Sequence, residues 1–118
     1  MSDEASKSIY CDAAGDGYLC VYDDEPFIYK APPDKRIQVL EYFAVLEGLK
    51  RLNNGDSATI YTDAKHVADQ INGCKIRKRS TDFRILRDEC RRIIEDRKLD
   101  VSVQWISRDN NKAGKILG

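Results

Sequence analysis

The chain has 118 residues, with 20 basic and 20 acidic side chains, and 42% of its residues are hydrophobic. This length suffices for one domain with a hydrophobic core, so we expect a single domain over residues 1–118. No apolar run reaches membrane-spanning length, and the chain begins with polar residues. We therefore expect a cytoplasmic protein that does not interact with a membrane. We also expect a monomer.

The cysteine and histidine content argues against a structural zinc site. The four cysteines form no C-x-x-C pair, and the chain has one histidine, His66. We therefore expect reduced cysteines that serve as packing residues, and a histidine on a helix surface.

The first third of the chain predicts an antiparallel meander, after a frayed terminus over residues 1–7. Strands are expected at Ser8–Ala13, Tyr18–Tyr22 and Phe27–Lys30, because β-branched and aromatic residues alternate with Gly- and Pro-containing turns. One of these turns is expected at Asp23–Pro26. A helix is expected at Ile37–Leu52, where apolar residues recur at helical spacing.

The rest of the chain alternates strands and helices. A strand is expected at Ser57–Thr62, a short helix at Asp63–Asn72, and a long helix from Ser80 or Thr81 to about Lys98. The last strand, Leu99–Ile106, places Leu99, Val101, Val103 and Trp105 on its covered face. A polar loop at Arg108–Lys112 and a helical stub at Gly114–Gly118 complete the chain.

The resulting order, βββαβααβ, indicates an α/β fold. A helix that connects two strands of one sheet implies parallel pairing of those strands through a right-handed crossover. We therefore expect a mixed five-stranded sheet with helices on its faces and a C-terminal helix that is short or missing.

Three acids occupy positions where a carboxylate is costly unless it has a partner. Asp12 ends the first strand, Asp63 ends the fourth, and Glu41 lies at the border of the apolar stripe of the first helix. Ligands bind outside the carboxyl ends of parallel strands, where clustered carboxylates would repel one another unless they shared a divalent cation. Each acid also has a simpler interpretation: Asp12 as a turn residue, Asp63 as a helix cap, and Glu41 as a first-turn acid favoured by the helix dipole.

Four segments resemble the type 1 ribonuclease H family, in particular its archaeal and reverse-transcriptase-like branch. The segments are Ile9–Gly15 (IYCDAAG), Glu41–Leu49 (EYFAVLEGL), Ile60–Val67 (IYTDAKHV) and Trp105–Asn111 (WISRDNN). The resemblance covers nearly the whole chain and implies the ribonuclease H-like fold.

The resemblance also implies an activity and a set of site residues. Asp12, Glu41 and Asp63 would be catalytic metal ligands for two Mg²⁺ ions, about 4 Å apart, with Mn²⁺ as a substitute. The enzyme would be a metal-dependent endoribonuclease that cuts the RNA strand of RNA/DNA hybrids and leaves 5′-phosphate ends. By the same resemblance, the nucleic-acid contacts would include Ala13, Gln38, Arg108 and Asn111.

The chain departs from the family at the fourth carboxylate. Lys115 stands at the position of that acid, and a shifted register would put Gly114 there. Lys115 could swing away, could replace the second cation, or could mark an inactive relative. Asp109, in the adjoining loop, is a candidate substitute acid.

Charge is unevenly distributed along the chain, with acids concentrated before residue 26 and bases between residues 75 and 92. The connector at Cys74–Arg79 contains Arg77, Lys78 and Arg79. It is either a solvated loop or a grip for the DNA strand, and the three arginines that follow at helical spacing (Arg84, Arg87 and Arg91) favour phosphate contact.

Two functional classes therefore remain open. The first is the metal-dependent endoribonuclease, and the second is a catalytically inactive ribonuclease H-like module that binds nucleic acid or a protein partner. Three retained acids favour the first class, whereas Lys115 and the shortened last helix favour the second. A fragment of a longer enzyme is a third interpretation.

Overall fold

The structure is a computed structural model that describes residues 6–118 of the chain. We expected a frayed terminus over residues 1–7, of which residues 1–5 lie outside the described residues. Lys7 differs from this expectation, because it is the first residue of a strand. The strands are β1 (Lys7–Ala13), β2 (Tyr18–Asp23), β3 (Glu25–Lys30), β4 (Ser57–Thr62) and β5 (Asp100–Trp105). The helices are α1 (Ile37–Lys50), α2 (Lys65–Ile71), α3 (Thr81–Asp96) and α4 (Lys112–Leu117).

The five strands form one mixed sheet in the order β3-β2-β1-β4-β5. β1 pairs with β4 in parallel, with Tyr10 opposite Tyr61, and β4 pairs with β5 in parallel. The β1–β2 and β2–β3 pairs are antiparallel. The predicted α/β fold with a mixed five-stranded sheet is therefore confirmed.

Helix α1 packs tightly against the central strand because it carries a glycine at the point of contact. A Cβ atom at Gly48 would stand 2.7 Å from Cys11 Sγ and 3.4 Å from Ile9 Cγ2, which is too close for a larger residue. Cys11, Cys20 and Cys90 are buried and free, as a packing role requires. Cys74 is free but exposed, so the packing prediction is wrong at this position, which lies in a surface connector.

Several element ends differ from the sequence prediction. The turn expected at Asp23–Pro26 is reduced to Asp24, which takes a φ of 66°, while Asp23 and Glu25 pair across it. Pro26 therefore lies inside β3, where an edge strand tolerates a residue without an N–H group. Trp105, predicted on the covered face, is 53% exposed because it is the last residue of an edge strand.

The segment after β5 is more regular than a polar loop. Arg108–Asn110 forms one turn of 3-10 helix, and α4 begins at Lys112. The last helix is short, as predicted, with six residues. Within residues 6–118, none of the helices has both the length and the apolar character needed to cross a membrane.

Candidate active site

Asp12 and Asp63 come together because β1 and β4 are parallel neighbours. The register pairs Cys11 with Thr62, so the next residue of each strand, Asp12 and Asp63, follows at the same edge of the sheet. Side chains alternate across a strand, and since Cys11 packs on α1, Asp12 points to the opposite face, where α4 lies. Two carboxylates thus meet at the carboxyl ends of two central strands.

The simpler interpretations of these acids do not hold. Asp12 lies within β1 and is 8% exposed, so it is not a turn residue. The residue that caps α2 is Ala64, whose N–H donates to Thr62 Oγ1, so Asp63 is not the cap. Glu41 is the fifth residue of α1 and lies beyond the first turn of that helix.

The electrostatics of the site join Glu41 to the same cluster. Burial first, and then the charge of Asp63, raise the pKa of Asp12 to about 6. Burial, followed by the charges of Asp63 and Asp12, raises the pKa of Glu41 to about 7. Asp12 and Glu41 therefore resist ionisation because they are buried beside other carboxylates.

The carboxylate oxygens suit a divalent cation, although the described side chains do not form a compact group of three ligands. Asp63 Oδ2 is buried and has no hydrogen-bond partner, which leaves a costly orphan oxygen in the cluster. Carboxylate oxygens are the ligands that Mg²⁺ and Mn²⁺ prefer. As arranged, no group of three or more His, Cys, Asp or Glu side chains in residues 6–118 stands close enough together to hold a metal ion. The oxygens of Asp12 and Asp63 suit a divalent cation, and Glu41 would have to come closer to serve as a third ligand.

A cavity of about 800 Å³ opens between these acids and the C-terminal segment. Its lining includes Asp12 and Glu41 together with Arg108, Gly114 and Lys115. The guanidinium of Arg108 opposes the increase in pKa at both Asp12 and Glu41, so its positive charge faces the cluster. Lys115 makes no ion pair within 4.0 Å with a carboxylate of residues 6–118, and Asp109 is exposed at the cavity rim.

Asn111 has a structural role, in contrast to the nucleic-acid contact that the resemblance implied. It is 0% exposed, and its Nδ2 donates to the Cys11 carbonyl oxygen at 3.0 Å. Its Oδ1 accepts from the Ala113 N–H at 3.1 Å and so caps α4. Asn111 therefore fastens α4 to β1, directly beside Asp12. Ala13 is also buried, at 7% exposure, and lines the cavity.

Gln38 is exposed in the first turn of α1, one turn before Glu41, where a ligand in the cavity could reach it. His66, expected on a helix surface, instead lies between helices. Its Nε2 is 3.1 Å from the Gln38 carbonyl oxygen, and its Nδ1 is 4.0 Å from Glu41 Oε1. Sequence reasoning missed this histidine, and the only signal was a lone imidazole three residues after Asp63.

The basic connector is exposed, whereas the arginines of α3 are largely engaged in the fold. Arg77, Lys78 and Arg79 have exposed side chains in a segment without strand or helix. Arg91 donates to the carbonyl oxygens of Gln70 and Ile71.

Arg84 is also engaged in hydrogen bonds within the fold, because it donates to the Lys78 carbonyl oxygen and to Thr81 Oγ1. The guanidinium groups of Arg84 and Arg91 thus bind main-chain and hydroxyl oxygens nearby, and phosphate contact by the connector stays a prediction.

Comparison with solved structures identifies relatives of the fold at low sequence identity. RNase H1 from the halophilic archaeon Halobacterium salinarum is 16% identical, with a TM-score of 0.71 over 96% of this chain and 94% of that one. The N-terminal RNase H domain of Rv2228c from Mycobacterium tuberculosis is 18% identical, with a TM-score of 0.68 over 98% of this chain and 91% of that one. LC11-RNase H1, solved in complex with an RNA/DNA hybrid, is 14% identical, with a TM-score of 0.64 over 96% and 100%.

No curated protein is similar enough to the chain to count as a relative. The sequence model of the family described as reverse transcriptase-like matches residues 9–117, which is nearly the whole chain. The sheet order and the three structural neighbours show that the fold is that of ribonuclease H, and the family match shows that the chain belongs to the reverse transcriptase-like family.

Proposed function

We propose that the chain is a metal-dependent endoribonuclease that hydrolyses the RNA strand of RNA/DNA hybrids and leaves 5′-phosphate ends. The observation that carries this proposal is the placement of Asp12 and Glu41 in the lining of an open cavity, with the charge of Asp63 near enough to raise the pKa of both. A domain without catalytic function has no need for three acids gathered in this way. Family membership and a neighbour that holds an RNA/DNA hybrid add support.

The three acids would hold Mg²⁺, with Mn²⁺ as a substitute, because hard oxygen ligands suit both ions. When bound, the cation would activate water and neutralise charge on the phosphodiester. Arg108 and Lys115, which line the same cavity, would attract the phosphodiester backbone and hold it near the acids. With a cation at position 115, we expect weaker affinity for a second Mg²⁺.

Contacts with the substrate would also extend beyond the acids, toward Gln38 and toward the basic connector. Gln38 is exposed near Glu41 and can reach the minor groove, where the 2′-hydroxyls distinguish RNA from DNA. The main chain at Ala13 borders the cavity. Arg77, Lys78 and Arg79 would contact phosphates of the DNA strand as solvent-exposed cations.

A second candidate function is a catalytically inactive module that binds nucleic acid or a protein partner. Two observations favour it. Lys115 stands in place of the fourth carboxylate, and the acids of residues 6–118 form no ready three-ligand group. The retained fold is compatible with both a slow enzyme and an inactive module, so only a cleavage assay distinguishes the two functions.

The deciding experiment is cleavage of an RNA/DNA hybrid with labelled RNA, in Mg²⁺ and in Mn²⁺. The wild-type chain is compared with Asp12→Asn, and single-stranded RNA and duplex DNA serve as alternative substrates. We expect metal-dependent cleavage of the RNA strand of the hybrid, with 5′-phosphate ends, and loss of that cleavage in the variant.

The matched control is Asp24→Asn, the same chemical change in the exposed β2–β3 turn, where asparagine tolerates the positive φ. This variant should cleave like the wild-type chain. Hybrid binding without cleavage in either metal would replace the enzyme by the inactive module.

We further propose that residues 1–118 form a single domain, that the protein is a monomer and that it resides in the cytoplasm. Four free cysteines are what a reducing compartment maintains. Sedimentation of the purified chain measures its mass directly.

A further inference from the structure

The ring of His66 lies at the point where three helices meet. Its centroid is 5.3 Å from that of Phe83 in α3 and 6.0 Å from that of Tyr42 in α1. The side chain is 26% exposed, so most of the ring is enclosed by its neighbours. Tyr42 is itself fixed, because its hydroxyl donates to Gln70 Oε1 at 2.6 Å. The position of the imidazole is therefore defined by packing from α1 and α3.

From this position the imidazole reaches α1 at two points. Its Nε2 is 3.1 Å from the Gln38 carbonyl oxygen, and a carbonyl oxygen only accepts, so Nε2 carries the proton. Its other nitrogen, Nδ1, faces Glu41 Oε1 at 4.0 Å. One ring thus contacts both the residue proposed to touch the hybrid and one of the three acids.

The first turn of α1 is anchored by the burial of Val39 and Leu40 but receives no side-chain hydrogen bond from its own N-cap. Its N-cap residue is Arg36, whose side chain makes no capping hydrogen bond. Arg36 does pair with Asp82 at 2.7 Å, but both side chains are about half exposed, and such a pair contributes little to stability. The contact between His66 Nε2 and the Gln38 carbonyl oxygen is a direct hydrogen bond from outside α1 to the main chain of this turn.

We propose that His66 is a positioning residue, whose Nε2–H group fixes the first turn of α1 so that Gln38 is presented to the minor groove of the hybrid. This inference rests on the proposed function, because it assumes that the chain binds a hybrid. His66 need not touch the substrate; it acts through the main chain of Gln38.

Two variants separate the hydrogen bond from the packing. His66→Phe keeps an aromatic ring between Tyr42 and Phe83 but removes the donor, whereas His66→Gln keeps an N–H donor at a similar reach. Hybrid affinity is measured without divalent cations, in EDTA, and thermal unfolding verifies that each variant is folded. We expect His66→Phe to bind about fivefold more weakly, as the removal of one hydrogen bond predicts, and His66→Gln to recover most of that affinity.

Steady-state kinetics provide a second readout. Because the missing interaction concerns substrate binding, KM should rise in His66→Phe while kcat is retained. A fall in kcat with an unchanged KM would contradict a role through Gln38.

A double-variant cycle with Gln38→Ala tests whether the two residues act together. If His66 acts through Gln38, the double variant should bind no more weakly than Gln38→Ala alone. Independent effects that multiply would overturn the inference while leaving the proposed function intact. A wild-type chain that binds no hybrid would instead remove the proposed function, and the inference with it.

Discussion

Gly114 lies directly against Asp12: a Cβ atom at position 114 would stand 3.1 Å from Asp12 Oδ2. This distance is shorter than most carbon–oxygen contacts, so α4 approaches the acid as closely as it does because residue 114 has no side chain. Helix backbone at Gly114 therefore lies beside Asp12, and the next residue, Lys115, is exposed and lines the cavity.

We predict that Lys115→Asp lowers the Mg²⁺ concentration needed for half-maximal cleavage by about tenfold or more. The substitution changes the charge at the cavity lining by two units, and even at a separation beyond contact each unit is worth on the order of 1 kcal/mol against the acids. Cleavage rates across a Mg²⁺ titration measure the effect.

Two further variants show whether position 115 itself is responsible. Lys112→Asp makes the same charge change on the same helix, but Lys112 lies over the rings of Tyr10 and Tyr22, away from the acids. It should leave the Mg²⁺ dependence unchanged. Gly114→Asp should fail to restore the site, because its Cβ atom already crowds Asp12. Equal responses from positions 112 and 115 would contradict a local role of Lys115.

The raised pKa values of Asp12 and Glu41 predict how stability depends on pH. In the folded chain these carboxyls hold their protons up to pH values of about 6 and about 7, whereas in the unfolded chain they lose them near their ordinary pKa values. The folded state therefore binds more protons over this interval, and the free energy of unfolding should fall as pH rises from 5 to 7.

The expected fall is on the order of 1–3 kcal/mol, since one pKa unit corresponds to about 1.4 kcal/mol and the cavity admits solvent. Urea unfolding in EDTA at pH 5, 6, 7 and 8 measures it, and Asp12→Asn should flatten the dependence. Added Mg²⁺ should raise the melting temperature more at pH 8 than at pH 5, because the cation binds the ionised acids. Stability that rises over this interval in EDTA would contradict the assignment.

The exposed connector predicts a change in the salt dependence of binding. Replacing Arg77, Lys78 and Arg79 together by glutamine should weaken hybrid binding. The same change should reduce the slope of log K against log salt by about 0.9 for each phosphate that the variant no longer neutralises. Binding measured at several salt concentrations gives the slope.

The matched control replaces Lys50, Arg92 and Lys98, three exposed bases near the opposite ends of α1 and α3, by glutamine. Because the site lies near the start of α1, this triple variant should keep the wild-type slope. Identical slopes for the connector variant and the wild-type chain would remove the connector from the interface.

Arg91 is predicted to contribute to stability and not to binding. Its guanidinium donates to the carbonyl oxygens of Gln70 and Ile71, at the end of α2. Arg91→Gln should lower the free energy of unfolding by about 1–2 kcal/mol, as expected when hydrogen bonds from a charged donor are removed. The salt slope of hybrid binding should not change. Urea unfolding and the same binding series test both parts, and a reduced slope would return Arg91 to the interface.

The site acids could be predicted from the sequence because their positions follow from local rules. Asp12 and Asp63 each end an apolar strand, and the right-handed crossover between those strands makes them parallel neighbours. The roles of His66 and Arg91 follow no such rule. Their partners Gln38 and Ile71 are 28 and 20 residues away in sequence, and only the packing of α1, α2 and α3 brings them together.

The central position of β1 in the sheet predicts a more rigid backbone there than in the connector at residues 74–79. Asp12 lies on a strand flanked by β2 and β4, so we expect its backbone amides to exchange with solvent only when the sheet opens. The connector at residues 74–79 has neither strand nor helix, so its amides can exchange through small local openings. The basic segment can therefore adapt to the shape of an irregular duplex without disturbing the alignment of the acids.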